Sequence, residues 1–318
     1  MQESALLSIE GPGPRLALRH RPAQGSQRGA ILFVHGATLA SDLYDVPLPG
    51  YSWLAAAAAA GREAYAVDLR GYGRSARPVF FDAPAQAAPP YARASEVLAD
   101  IDRAVEAVRG ATGLNEIDLV GGSWGSVTCS LYASGEGRGK LRRLVLFAPL
   151  YAQVNQAWLE ICGAPDDPLL PHPNLGAYRW VDAPTIRSRW DAEIPPADKT
   201  LFRPEPVFQA IMASSLAADP AGQRREPPAF RVPNGTLVDL HSVFSGKALY
   251  DPAAITLPTL LLRGDCDPTS TQADTSRLFE ALAARQKHQV TIGGASHFAI
   301  GERAAPQVFK MAEAFLSL

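Results

Sequence analysis

A serine flanked by glycines follows an apolar run near the middle of the chain. Residues 119–126 read LVGGSWGS, so that Gly121 and Gly125 flank Ser123 in a Gly-x-Ser-x-Gly pattern. At a sharp turn from a strand into a helix, glycines at these two positions avoid steric collisions and leave the serine hydroxyl exposed. The pattern predicts acyl transfer through Ser123 as the nucleophile.

A serine nucleophile needs a general base, and the sequence offers one near its carboxyl end. His297 lies in GGASHF at 293–298, just beyond an apolar stretch at 289–292. Of the five other histidines, His241 is the main alternative. Because a loop at the end of a strand holds a general base rigidly, we predict that His297 is the base.

An acid that orients the base is expected in RGDCDP at 263–268, directly after another apolar run. Two aspartates, Asp265 and Asp267, compete for this role. Asp267 lies further out in the loop, where it could accept a hydrogen bond from Nδ1 of His297. Asp265 is closer to the strand and is predicted to hold the turn by bonding backbone amides.

Acyl transfer also requires donors for the oxyanion that forms at the attacked carbonyl. The backbone amide that follows the nucleophile, at Trp124, is predicted to be one of them. The loop HGAT at 35–38 follows the apolar run 30–34 and supplies the second, the amide of Ala37. Gly36 permits the required backbone turn, and His35 is expected to orient the loop rather than to transfer protons.

The elements that must position these residues alternate along the chain. Apolar runs at 30–34, 64–67, 117–120, 144–147, 259–262 and 289–292 read as buried strands, and helical patterns lie at 52–60, 94–109, 126–134, 271–284 and 306–318. This alternation predicts an α/β fold whose parallel sheet is covered by helices. Two leading apolar stretches, 6–9 and 16–18, are predicted to form an antiparallel hairpin at the sheet edge.

The alternation stops after Pro149 and resumes near Thr259. We therefore expect a core formed by residues 1–149 and 258–318, with residues 150–257 inserted as a cap. The cap is rich in aromatic residues, of which Trp158 and Trp180 are candidate substrate contacts. Packing of the cap's own interior is the alternative role for each of them.

An extended loop at 43–53 follows the predicted oxyanion loop and could add a wall to the site. Tyr44 and Trp53 in this loop are further candidate substrate contacts, with simple packing as the alternative. Three cap arginines, Arg179, Arg187 and Arg189, are candidate clamps for a substrate carboxylate, with a solvated surface position as the alternative.

Composition limits the classes of partner. The 318 residues are 47% hydrophobic and carry 30 basic and 32 acidic side chains, which gives no broad attraction to nucleic acid or to an anionic membrane. Three distant cysteines suggest neither a disulfide framework nor a zinc site, and no metal or nucleotide motif is found. Without an export signal or membrane span, we expect a cytoplasmic protein that acts on a small molecule and uses no cofactor.

The combination of motifs resembles the α/β-hydrolase superfamily in its capped, esterase-like branch. The resemblance rests on His35-Gly36, on DLRGYGRS at 68–75, and on the Ser123, Asp267 and His297 motifs. It implies an eight-stranded, mostly parallel sheet, a Ser-Asp-His triad and no cofactor, with structural roles for Asp68 and Arg70. It covers residues 30–149 and 258–318, but not the cap.

Within such a family, a serine nucleophile argues against the dehalogenases and epoxide hydrolases, which use an aspartate. We predict a carboxylic ester hydrolase that works through an acyl-enzyme intermediate. Hydrolysis of a carbon–carbon bond in a diketone from aromatic degradation is the alternative reaction. A third possibility is a non-catalytic member of the fold that binds a ligand. The oligomeric state is not readable from the sequence.

Overall fold

The computed structural model describes residues 4–318 and contains ten strands in two sheets. In chain order the strands are β1 (Ala5–Ile9), β2 (Leu16–Arg21), β3 (Gly29–Val34), β4 (Arg62–Asp68), β5 (Ile117–Gly122), β6 (Leu141–Phe147), β7 (Tyr178–Asp182), β8 (Ala229–Pro233), β9 (Thr259–Gly264) and β10 (Lys287–Ile292). Strands β7 and β8 pair with each other, and the other eight form the main sheet in the order β1-β2-β4-β3-β5-β6-β9-β10.

The main sheet is mostly parallel. The pairs from β4 through β3, β5, β6 and β9 to β10 are all parallel, whereas β1 pairs with β2, and β2 with β4, in antiparallel fashion. The expected α/β fold with an eight-stranded, mostly parallel sheet is thus confirmed, as is the antiparallel hairpin at its edge.

Nine α-helices occur in the described residues. They are α1 (Trp53–Ala59), α2 (Ala94–Thr112), α3 (Trp124–Ser134), α4 (Gln156–Cys162), α5 (Ala183–Glu193), α6 (Glu205–Ala217), α7 (Gly235–Phe244), α8 (Gln272–Ala281) and α9 (Ala305–Leu316). Successive residues of a strand point to opposite faces of the sheet. In β3, Leu32 packs with α2 and α3 in one core cluster, whereas Phe33 packs with α1 and α9 in another. Both faces of the sheet are therefore covered by helices.

The chain between β6 and β9 contributes no strand to the main sheet within residues 4–318. It contains α4, β7, α5, α6, β8 and α7, and it joins the two parts of the chain that form the main sheet. The division into a core and a cap at 150–257 stays a prediction, because the absence of main-sheet strands from a segment does not define a domain boundary. The segment nevertheless supplies residues that line the cleft described below.

Between residues 4 and 318, no helix is both long and apolar enough to cross a bilayer. The same residues contain no group of three or more His, Cys, Asp or Glu side chains arranged to hold a metal ion.

Candidate active site

Ser123 lies at the turn between β5 and α3 with an unusual backbone conformation. Its φ of 55° and ψ of −123° lie outside the regions that L-residues favour. The flanking glycines have no room for a side chain. A Cβ on Gly121 would lie 2.3 Å from the carbonyl oxygen of Gly125, and one on Gly125 would lie 2.4 Å from that of Val34. The close packing of glycine backbones supports the strained serine.

Three side chains that are distant in sequence form a continuous line of hydrogen bonds. Oγ of Ser123 lies 2.9 Å from Nε2 of His297, and Nδ1 of His297 lies 2.8 Å from Oδ2 of Asp267. The other carboxylate oxygen, Oδ1 of Asp267, accepts hydrogen bonds of 2.8 Å from the amides of Thr269 and Ser270. Because Asp267 is held by its own loop, it fixes the imidazole ring so that Nε2 faces the serine hydroxyl.

The competing candidates occupy other positions. Nε2 of His241 donates a hydrogen bond to the carbonyl oxygen of Pro168, 3.1 Å away, and His241 does not line the cleft at Ser123. Asp265 accepts a hydrogen bond from the amide of Ala295 through Oδ1, at 3.1 Å. The structure therefore brings Asp267 to the imidazole of His297, and it brings Asp265 to the backbone of the neighbouring loop.

The amide of Trp124 is available because this residue begins helix α3. The first amides of an α-helix have no partner within the helix, and the helix dipole adds partial positive charge at that end. The indole of Trp124 is fully buried, and its Nε1 donates to Oδ2 of Asp239 on α7 at 3.1 Å. This contact anchors the first turn of α3 beside Ser123.

The loop after β3 lies directly over the serine. A Cβ on Gly36 would be only 3.1 Å from Cβ of Ser123 and 3.5 Å from its Oγ. Nδ1 of His35 donates to the carbonyl oxygen of Gly36 at 2.8 Å. In a trans peptide the carbonyl and the amide point in opposite directions, so the amide of Ala37 points away from that His35 contact.

His35 holds this loop as a neutral ring. Its Nε2 accepts a hydrogen bond of 3.1 Å from the amide of Leu69, so the proton belongs on Nδ1. The ring is completely buried, and this burial lowers the pKa of His35. The next carbonyl of the loop, that of Ala37, accepts 3.0 Å hydrogen bonds from Tyr72 and Arg179. Both peptide groups flanking Ala37 are therefore fixed.

A cleft that opens to solvent reaches Ser123 and His297. Most of its lining is apolar: Leu39, Leu43, Tyr44, Phe147, Trp158, Leu240, Phe298 and Ile300. Two of the predicted contact residues, Tyr44 and Trp158, are in this lining. Their polar atoms are occupied, since Tyr44 donates to Val34 and Trp158 donates to Thr269.

Two other predicted substrate contacts, Trp53 and Trp180, lie elsewhere and need correction. Trp53 is 2% exposed and stacks on Phe309 of α9 at 5.2 Å between ring centroids, in the core on one face of the main sheet. Trp180 lies on β7, where the guanidinium of Arg225 sits 4.4 Å from its ring centroid. Neither indole lines the cleft at Ser123, and both have packing partners instead.

The three candidate arginines have different surroundings. Arg179 donates to the carbonyl of Ala37, and Arg187 forms an ion pair with Glu205 at 2.5 Å. Only Arg189 lines the cleft. The predicted turn-holding residues are also engaged: Asp68 accepts from the amides of Ser41 and Arg74, and Arg70 pairs with Asp100.

Helix α5 contacts the loop that carries His297 through two buried carboxylates. Oε2 of Glu193, at the end of α5, accepts a hydrogen bond of 3.0 Å from the amide of His297. Nε1 of Trp190 donates to Oε1 of Glu302 at 2.7 Å, and Glu302 also accepts from the amide and the hydroxyl of Ser296. Burial raises the pKa of Glu193 and of Glu302.

Sequence reasoning missed both carboxylates. Glu193 and His297 are separated by 104 positions, and Trp190 and Glu302 by 112. Neither pair forms a local motif, so no signal in a single sequence could have identified these contacts. Through hydrogen bonds to the amides of Ser296 and His297, they connect helix α5 to the loop that carries His297.

Comparisons with known proteins agree with this architecture. The sequence matches the model of the family described as "Alpha/beta hydrolase family" over residues 31–310. No curated protein matches the chain significantly.

Solved structures of similar fold include three hydrolases with a TM-score of 0.64 each. E-2-(acetamidomethylene)succinate hydrolase is 19% identical, over 99% of this chain and 100% of its own. The enol-lactonase from Burkholderia xenovorans is 16% identical, over 98% and 100%. An esterase from Exiguobacterium antarcticum is 15% identical, over 100% of both chains. At these identities the likeness extends to the fold alone, and the family match shows that this chain belongs to the alpha/beta hydrolase family.

Proposed function

We propose that the protein is a serine hydrolase that cleaves carboxylic esters of small molecules. The observation that carries this proposal is the line of hydrogen bonds from Ser123 through His297 to Asp267, with distances of 2.9 and 2.8 Å. The apolar cleft at Ser123 supports an ester with a hydrocarbon acyl chain as the substrate. The proposed reaction requires only side chains, backbone amides and water.

In the first stage, Nε2 of His297 removes the proton of Ser123 as Oγ attacks the ester carbonyl carbon. The amides of Trp124 and Ala37 donate hydrogen bonds to the oxyanion of the tetrahedral intermediate. The imidazolium is stabilised by Asp267 and gives its proton to the departing alcohol. The carbon–oxygen bond to the alcohol breaks, and an acyl-enzyme ester on Ser123 remains.

In the second stage, a water molecule replaces the alcohol. His297 removes one proton from this water as its oxygen attacks the acyl-enzyme carbonyl, and the same two amides stabilise the second oxyanion. Collapse of the intermediate breaks the bond to Ser123, which recovers its proton from His297. The net reaction converts one ester and one water into one carboxylic acid and one alcohol.

The first experiment is hydrolysis of p-nitrophenyl esters of increasing acyl length, combined with labelling by a fluorophosphonate. We expect ester turnover and a single added phosphonyl group on the peptide that contains Ser123. Labelling without turnover of any ester, together with loss of the absorbance of a dienol diketone, would favour carbon–carbon hydrolysis instead. Absence of both labelling and turnover would favour a role in ligand binding.

A buried contact from helix α5 is expected to influence turnover through His297. Glu193→Met removes the acceptor of the His297 amide, and an unsatisfied buried amide costs about 1–3 kcal/mol. We expect kcat to fall about tenfold, which corresponds to about 1.4 kcal/mol in the barrier. KM for a neutral ester should change less, because Glu193 does not line the cleft.

The matched control for this prediction is Glu193→Gln. A glutamine oxygen can still accept from the His297 amide, so this variant should keep kcat within about threefold of the wild type, below the cost of a lost hydrogen bond. Steady-state kinetics and urea unfolding of both variants provide the readout. Equal losses of kcat in the two variants would show that the charge of Glu193 matters rather than its hydrogen bond.

A further inference from the structure

Arg189 is the one permanently charged side chain that lines the cleft at Ser123 in the described part of the chain. It is carried by helix α5, and its side chain is 29% exposed. The rest of the lining is largely apolar. A cation in such surroundings is only partly solvated, and its partial burial lowers the pKa of Arg189. Because an arginine remains protonated in proteins, this cation is a strong site for an anion.

The guanidinium of Arg189 is held in place without using its hydrogen-bond donors. Its central carbon lies 4.7 Å from the ring centroid of Trp158 and 5.1 Å from that of Phe298. The indole of Trp158 is itself fixed by a 2.9 Å hydrogen bond to Oγ1 of Thr269. Contacts with two aromatic rings restrict the guanidinium and leave its N–H groups free for a planar anion.

Within residues 4–318, the contacts of Arg189 are two aromatic rings and one ion pair, and no side chain or carbonyl accepts a hydrogen bond from it. The nearest carboxylate oxygen is Oε1 of Glu193, 3.7 Å from Nε of Arg189, which is an ion pair without a hydrogen bond. Oε2 of Glu193 is already used by the amide of His297. Arg187, two positions away, instead forms two hydrogen bonds with Glu205, of 2.7 and 2.5 Å. The donors of Arg189 are therefore unused.

We propose that Arg189 binds a carboxylate of the substrate. The preferred esters then carry a carboxylate that a short apolar chain separates from the scissile bond. A carboxylate supplies two acceptors in the plane that a guanidinium requires. This inference rests on the proposed ester hydrolysis. It specifies the substrate as an anionic ester, such as a half-ester of a short dicarboxylic acid.

Two pairs of substrates test this inference, and each pair consists of an anionic ester and a neutral ester of similar size. Mono-p-nitrophenyl glutarate is compared with p-nitrophenyl valerate for a carboxylate on the acyl side, and 4-acetoxybenzoate with phenyl acetate for one on the alcohol side. We expect kcat/KM to be about ten- to a hundredfold higher for the anionic ester in one pair, as for a hydrogen bond between charged groups.

The variant Arg189→Met, which keeps an unbranched apolar stem but loses the guanidinium and its charge, should remove that preference. Arg189→Lys should restore part of it, because the charge returns without the paired donors. The matched control is Arg187→Met on the same helix, which should retain the preference of the wild type. Equal kcat/KM for both members of each pair in the wild-type enzyme would overturn the inference, as would the same preference in Arg189→Met.

A binding measurement separates this inference from the proposed reaction. The Ser123→Ala variant is titrated with glutarate by calorimetry, which requires no turnover. We expect saturable binding that is lost in the double variant Ser123→Ala/Arg189→Met. The double variant Ser123→Ala/Arg187→Met should keep it. Glutarate binding with this pattern, in a protein that hydrolyses no ester, would uphold the carboxylate site and reject ester hydrolysis. Absence of binding together with turnover of neutral esters would reject the carboxylate site and uphold ester hydrolysis.

Discussion

Replacing Ser123 by alanine is expected to lower kcat by about 10⁵- to 10⁶-fold on the best p-nitrophenyl ester, the scale of loss when a catalytic serine is removed. The substitution deletes the one oxygen that lies 2.9 Å from Nε2 of His297. Without it, no acyl-enzyme forms, and only the oxyanion donors and substrate binding remain to accelerate attack by water. Initial rates at saturating ester, with purified protein free of other esterases, measure the loss.

The fold should survive this substitution. The unusual φ of Ser123 is supported by the glycines around it, and alanine has the same Cβ as serine. Ser134→Ala is the control, since Ser134 ends the same helix and its hydroxyl donates to the carbonyl of Leu131 within that helix. We expect wild-type kcat in the control and similar melting temperatures for all three proteins. Retention of about 1% of the activity or more in Ser123→Ala would remove the serine from its proposed role, since known serine hydrolases lose far more.

The main sheet could be predicted from the sequence because its signals are local. Residues of β3, such as Leu32 and Phe33, are buried on opposite faces, which produces a continuous apolar run rather than an alternating one. The turn at Ser123 is equally local, because its steric requirement falls on two glycines within two positions of the serine. Such features are encoded within a few residues and therefore appear in a single sequence.

The position of Trp53 could not be read from the sequence, because it depends on how helix α1 packs against the main sheet and α9. The hydroxyl of Ser52 accepts a hydrogen bond from the amide of Ala55, so Ser52 caps the helix and Trp53 becomes its first residue. From that position the indole packs on Phe33 and Phe309. The helical pattern at 52–60 included this start, but nothing in the sequence shows that the first residue of the helix packs into the core formed with α9 and the main sheet.

The residues of the segment between β6 and β9 were unpredictable for a different reason. Composition identified its aromatic and arginine content, but not which side chains face the cleft. The side of α5 that carries Trp190 and Glu193 meets the loop of His297, and this arrangement depends on long-range packing. Arg187 and Arg189 are two positions apart on this helix, so they face different directions. Only Arg189 reaches the cleft.

Asp267→Asn is expected to lower kcat by about 10⁴-fold, as substitution of the orienting acid does in other Ser-His-Asp enzymes. The surroundings of Asp267 dictate how the asparagine would lie. The amides of Thr269 and Ser270 both donate to Oδ1, so the asparagine oxygen must remain there. Its NH₂ group then takes the place of Oδ2 and donates toward Nδ1 of His297. The imidazole proton is forced onto Nε2, which can no longer accept the proton of Ser123.

Asp265→Asn is the matched control, because it makes the same chemical change two positions away. Oδ1 of Asp265 accepts from the amide of Ala295, and an asparagine oxygen can keep that hydrogen bond. We expect kcat within about threefold of the wild type for this variant, because it keeps the hydrogen bond from Ala295 and leaves the Asp267–His297 pair unchanged. The ratio of the two effects, measured on one ester, assigns the orienting acid. A large loss in Asp265→Asn with a small loss in Asp267→Asn would transfer that role to Asp265, and it would mean that the loop rearranges when the substrate binds.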